Sequence, residues 1–211
     1  MFEDKPKLLG ESEALKARLK QLDEFHVAPL TAFVRTLRDK MGSEASIPYF
    51  DPWDGGIEAE VLFLLEAPGS KARNSGFVSR NNPDETAKNF FELTSEAGID
   101  RKCTIVWNTV PWYIGSDSKI RPANSADIAS GIESLAELLA LLPRIRSIVL
   151  MGRKAQKAKE HIKQVSPSLI IHTCPHPSPL FVNRLLGNRQ ILLEQLQAVQ
   201  SFLEEGESVA S

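Results

Sequence analysis

The chain has 211 residues, 42% of them hydrophobic and 25% charged, with 12 Gly and 13 Pro, a composition that excludes disordered, collagenous and coiled-coil classes and fits one domain around one core. Lys and Arg total 25 against 27 Asp and Glu, a net charge of −2, which argues against a protein that holds nucleic acid by bulk charge alone. Two cysteines, Cys103 and Cys174, are too few for a disulfide scaffold, a four-thiolate zinc site or an iron–sulfur cluster.

No apolar run approaches the length of a membrane span, and residues 1–21 lack the apolar stretch of a secretion signal. The expectation is a cytoplasmic monomer in a reducing compartment, without a membrane partner.

Residues 1–10 read as a loose leader. From Glu11, Leu15, Leu19 and Leu22 form an apolar stripe among charges, and a second amphipathic stretch runs from Leu30 to Met41 with Gly42 as its stop. These N-terminal helices, residues 11–41, read as an accessory layer. The segment 46–56, broken by Pro48, Pro52 and the Gly55-Gly56 pair, reads as turns.

The texture then changes. Val61–Leu65, Cys103–Trp107, Ser147–Met151 and Ser168–Ile171 are continuous apolar runs of strand length, the pattern of strands buried on both faces. Helical patterns separate or follow them at Asp84–Ala97, Ala126–Leu142, Lys154–Gln164 and Gln190–Leu203. This alternation predicts an α/β fold, a three-layer α/β/α sandwich around a four-stranded parallel sheet, with the core over 60–200 and a disordered tail over 204–211.

Ligands of such sheets bind outside the carboxyl ends of the strands, so the segments following each strand carry the function. The first, 64–81, has a Pro68-Gly69 turn whose N–H groups can face an anion. It matches neither G-x-G-x-x-G nor G-x-x-x-x-G-K-[ST], so a dinucleotide or nucleoside-triphosphate site is poorly supported. Glu66 at the strand terminus is either a site carboxylate or a solvated loop acid, while Lys71, Arg73 and Arg80 make the stretch basic. Asn108 ends the second strand with a donor and an acceptor side by side, suited to a nucleobase edge or simply to capping a turn. The segment 172–184 holds three prolines in five residues, which fix His176 in a rigid frame. His172, Cys174 and His176 would share one side of an extended chain, but zinc recruits ligands from separated segments and no partner pair is visible. Ser178 lacks the G-x-S-x-G elbow of a serine hydrolase.

Taken in order, LEAPG (65–69), GFVSRN (76–81), VWNTVP (106–111) and HPSPL (176–180) resemble the uracil-DNA glycosylase superfamily over about residues 60–200. HPSPL is similar to the last motif of its best-known branch, and EAPG followed by G-F-V-x-R to its iron–sulfur branch. The chain lacks that branch's four cysteine ligands, so neither a cluster, a metal nor another cofactor is expected. Leu65 replaces the Gly that commonly precedes the acid in the iron–sulfur branch. Ala67 stands where the best-known branch has Asp, which leaves open which residue activates water.

The resemblance implies hydrolysis of the N-glycosidic bond of uracil or another deaminated base in DNA, as in base-excision repair. Glu66 would stabilise the cationic sugar and handle water, and His176 would donate to the departing base. A backbone N–H near Ala67 would add a donor, Asn108 would read the base edge, and Phe77 would stack on its face. Leu180 would wedge into the duplex, with Pro68, Gly69, Ser178 and Arg184 touching phosphates. Arg153, Lys154 and Lys157 would favour an anion at the start of the helix after the third strand. The competing readings are a catalytically silent nucleic-acid-binding relative and a small-molecule or nucleotide-binding α/β enzyme.

Overall fold

The computed structural model describes residues 2–42, 45–116 and 119–207. Four parallel strands, β1 (Val61–Leu65), β2 (Thr104–Asn108), β3 (Ser147–Met151) and β4 (Ile170–Cys174), form one sheet in the order β2-β1-β3-β4. The three inner-reading runs become strands because nearly every residue in them is buried. The fourth strand starts two residues later than its apolar run suggests. It is an edge strand with Ile170 exposed, and polar His172 and Thr173 are tolerated there.

Register assigns the faces. Phe63 pairs with Val106 and Leu65 with Asn108, so these four side chains share one face, whereas Leu64 and Trp107 share the other. Phe90 of α4 (Glu85–Glu96) meets Phe63 edge-on at 5.0 Å on the first face. Phe33 of α2 (Ala28–Met41) lies 6.3 Å from Trp107 on the second. Helices therefore cover both faces, giving the expected α/β/α sandwich. The C-terminal helix α9 (Asn188–Glu207) joins α4, with Phe202 against His172 of β4. Its length makes residues 204–207 helical, not part of a disordered tail; residues 208–211 lie outside the described residues.

Two N-terminal expectations need correction. Helix α2 is integral to the interior: its Leu30, Phe33, Val34 and Leu37 sit in the same buried cluster as the sheet, whereas α1 (Ser12–Leu19) packs Leu15 against a separate small cluster of Leu9, Leu22 and Phe77. Trp107 is fully buried between Phe33 and a stacked Phe50 at 3.9 Å, an aromatic pair worth about 0.5–1.5 kcal/mol beyond its buried area. Nor is the leader loose. Leu8 and Leu9 are buried, the Leu9 N–H donates to the Asn81 carbonyl at 3.0 Å, and Asp4 pairs with Arg101 at 2.9 Å.

Beneath the α4 face runs a buried ionic network. Arg101 reaches Asp51 at 2.7 Å and Asp54 at 2.8 Å, Arg18 pairs with Asp51, and the Ser79 hydroxyl donates to Asp51. The Arg80 guanidinium, 3% exposed, donates to the hydroxyls of Thr104 at 2.6 Å and Thr94 at 3.2 Å. Burial pushes the Asp51 carboxyl up, yet Arg101 and Arg18 overrule it and hold it at about 2. These ties fix the segment 77–82 that leads into α4.

The remaining helices follow local signals with two departures. Helix α3 (Ser70–Ser75) ends at Gly76, and Asp84 caps α4 by accepting from the Ala87 N–H at 2.9 Å. The pattern 126–142 is two helices, α5 (Ser125–Glu133) and α6 (Leu135–Ala140), divided at Ser134, whose hydroxyl turns back to the Gly131 carbonyl. The segment after β3 begins as a 3-10 turn, Ala155–Ala158, before α7 (Lys159–Val165). A four-residue helix α8 (Pro179–Val182) precedes α9.

Candidate active site

The carboxyl ends of the strands open onto a cleft of about 510 Å³ on the α4 face. Because Leu65 pairs with Asn108, the next residue, Glu66, emerges beside Asn108, and the bonds Thr109 N–H to Leu65 carbonyl (2.8 Å) and Val110 N–H to Glu66 carbonyl (2.9 Å) extend that register past the strands. Met151 pairs with Cys174, and the Gly152 N–H donates to the Cys174 carbonyl at 2.7 Å, bringing the turn after β3 against His176. His172 pairs with Val149 and Cys174 with Met151, so the alternation that ends at His176 faces the same side as Asn108.

Glu66, Ala67, Pro68, Gly69, Asn108, His176 and Leu180 all line this one cleft. Glu66 is half-buried, and its Oε1 accepts from the Ala123 N–H at 2.7 Å. Burial depresses the His176 imidazole pKa below its usual value, with the Glu66 carboxylate opposing. The ring is therefore neutral near pH 7 and offers one N–H donor rather than a charge. Leu180 stands at the mouth with 86% of its surface exposed.

Three expected residues are not among the cleft-lining side chains. Phe77 is fully buried on the far side of its segment, in a small cluster with Leu9 and Leu22, and cannot stack on a ligand in the cleft. The cause is a two-residue strand pairing, Tyr49–Phe50 with Phe77–Val78, whose alternation turns Phe77 away and Val78 toward the cleft. Ser178 precedes α8, its carbonyl accepting from the Phe181 and Val182 N–H groups, and Arg184 is exposed just beyond that helix.

Sequence reasoning missed several walls. Val78, Phe90 and Val106 form the apolar side, and Asn82, Asp84 and the Ile120–Pro122 segment form polar rims. The parity of β2 was a usable signal for Val106, two residues before Asn108; nothing local announced Phe90. Arg80 contributes wall rather than mobile charge, being locked to Thr94, Thr104 and the Asp54 side. Lys154 is likewise engaged, with the Ala123 carbonyl as acceptor, and the short 3-10 turn after it is no extended helix terminus for an anion. Arg153 and Lys157 remain exposed.

Among the described residues, no group of three or more His, Cys, Asp or Glu side chains could hold a metal ion. Cys174 is buried, which pushes its thiol up to about 12, so it is a poor ligand and a poor nucleophile. The cluster of the iron–sulfur branch does not fit these residues. Among the described residues no helix is long and apolar enough to cross a membrane.

No curated protein matches the chain. Among solved structures, a Methanosarcina acetivorans protein provisionally described as a uracil DNA glycosylase is similar at 16% identity, with 68% of this chain and 92% of that one covered and a TM-score of 0.48. A mimivirus UNG variant solved in complex with UGI is similar at 13% identity, over 86% of this chain and 80% of that one, with a TM-score of 0.38. A family model for the uracil DNA glycosylase superfamily matches residues 52–200, a range that contains every cleft motif from LEAPG to HPSPL. With more than half of its length matched in this way, the chain belongs to the uracil DNA glycosylase superfamily.

Proposed function

We propose that the protein hydrolyses the N-glycosidic bond of uracil, or of another deaminated base, flipped out of DNA into this cleft. The observation that carries the reading is the convergence of Glu66, Asn108 and His176 on one cleft at the carboxyl ends of three strands. Bond cleavage leaves negative charge on the base and positive charge on the sugar. A neutral His176 N–H in a rigid proline frame stabilises the first without reorganisation. The Glu66 carboxylate stabilises the second and orients water for attack on the sugar. Asn108 accepts from N3–H and donates to O4 of the base.

Since Phe77 is turned away, the base face is contacted by the apolar wall of Val78 and Phe90. Leu180 fills the vacated place in the stack. Pro68, Gly69, Ser178 and Arg184 hold the backbone phosphates, with binding that weakens as salt rises.

The test is incubation with uracil-containing single- and double-stranded oligonucleotides, followed by alkaline cleavage of abasic sites. Wild-type protein is expected to release base, and His176→Ala to reduce the rate by about 10²–10³, the usual cost of one preorganised donor. Asn108→Asp, which cannot donate to O4, is expected to lose uracil release with its fold intact. DNA binding without release identifies a catalytically silent relative, and neither binding nor release removes the nucleic-acid reading.

A further inference from the structure

The half of the site that holds Glu66 is not built by Glu66's own strand. Its carboxylate is held by a backbone N–H 57 residues away, that of Ala123. Ala123 lies on the rim segment 120–124, and because Pro122 has no N–H, Ala123 supplies the first donor on the segment after Arg121. The far end of this rim is anchored. Arg121 pairs with Asp127, and Asn124 and Asp127 form a reciprocal capping box on α5. At the cleft end the anchor is different: Ala123 is 1% exposed, and its carbonyl accepts from the Lys154 ammonium at 2.5 Å. Lys154 follows Gly152, on the same turn that backs His176.

We propose that Lys154 is a positioning residue for Glu66, acting through Ala123. One cation bonds the Ala123 carbonyl, the Ala123 N–H bonds the Glu66 carboxylate, and the β3 turn thereby sets the geometry of both halves of the site. Without the ammonium, the Ala123 carbonyl is a buried acceptor with no charged donor, and the rim relaxes toward water. The Ala123 N–H moves with it, and the Glu66 carboxylate loses its fixed orientation. The inference rests on the reading of Glu66 as the carboxylate that handles water. It gives Lys154 a role other than phosphate binding, which its place in a basic turn would suggest.

The test uses the full chain with Lys154→Met, which keeps the apolar stem without a donor, and Lys154→Arg, which keeps a donor. Amide hydrogen exchange at Ala123 is expected to accelerate by about tenfold in Lys154→Met, as for loss of one hydrogen bond to a charged group. The β1 amides should keep their protection, and Lys154→Arg should restore most of the protection at Ala123. Base release is expected to fall by about tenfold in kcat with KM for the oligonucleotide unchanged, and this loss should vanish in a Glu66→Gln background. Unchanged exchange at Ala123 overturns the proposal. So does a loss confined to KM, the signature of a phosphate contact, or an equal loss in the Glu66→Gln background. Wild-type protein without base release refutes the glycosylase reading instead, and the exchange measurement then decides the role of Lys154 alone.

Discussion

Substituting Gly152 tests whether the placement of His176, rather than its mere presence, sets the rate. Gly152 has φ +86°, and a methyl there would sit 3.0 Å from His176 Cβ. Carbon atoms settle at about 3.5–4.0 Å, so His176 must retreat by about half an ångström. A misplacement of about 1 Å at a reacting group costs about 10²-fold, so Gly152→Ala is expected to slow base release by about tenfold or somewhat more. The left-handed backbone adds about 1–2 kcal/mol of strain, which lowers Tm by about 2–8 °C in a chain of this size. That is small against a typical stability of about 5–15 kcal/mol, so the variant stays folded. Single-turnover base release with protein in excess measures the first effect, and a circular-dichroism melt the second. A rate within about twofold of wild type, in a variant whose Tm has dropped as expected, would refute the reasoning. The HPSPL frame would then be stiff without its stiffness serving the chemistry.

Two further outcomes follow from other parts of the molecule. Leu180→Ala removes a side chain that is 86% exposed; base release from duplex DNA should fall by about tenfold while single-stranded substrate is cleaved as before, because only the duplex has a stack to fill. Equal losses on both substrates would sink the wedge assignment. Asp51, held at about 2 against an ordinary 3.8, contributes about 2 kcal/mol of stability that is present above pH 3.8 and is lost as pH falls toward 2. Asp54, pushed up by burial, contributes with the opposite sign. Acid unfolding followed by circular dichroism should show that loss in the wild type and a flatter profile between about pH 2 and 4 in Asp51→Asn; identical profiles would exclude Asp51 as its source.

The sheet was legible because its strands are buried on both faces, and a continuous apolar run leaves few alternatives. The edge strand was displaced for the same reason in reverse: half of β4 faces less demanding surroundings, so His172 and Thr173 hid its real extent. The motif residues at strand ends were legible because parallel register forces such positions together. Phe77 was not, since the facing of a two-residue strand depends on its partner Tyr49, which no local pattern reveals. Arg18 is the clearest failure. On a helix rich in charge nothing singles it out, yet it is 1% exposed and paired with Asp51, 33 residues away. Long-range ion pairs and hydrogen bonds leave no periodic trace, which is also why the leader looked loose and Lys154 read as an anion contact.

The family match begins at residue 52, after α1, α2 and Phe50. The similarity boundary and the folding boundary therefore fall in different places. A fragment trimmed to the matched region would leave Trp107 without Phe33 and Phe50, baring the back of the sheet. It would also strip Asp4, Arg18 and Asp51 from the network, so that Arg80 and Arg101 would share Asp54 as their one remaining carboxylate partner among these ion pairs. Such a fragment would keep every motif of the cleft and present a sticky apolar face beside two ill-compensated guanidinium groups. It should be recovered as aggregate, and its inactivity would say nothing about the cleft. Engineering of this protein, including fusions and minimal domains, has to treat the first fifty residues as part of the fold's interior.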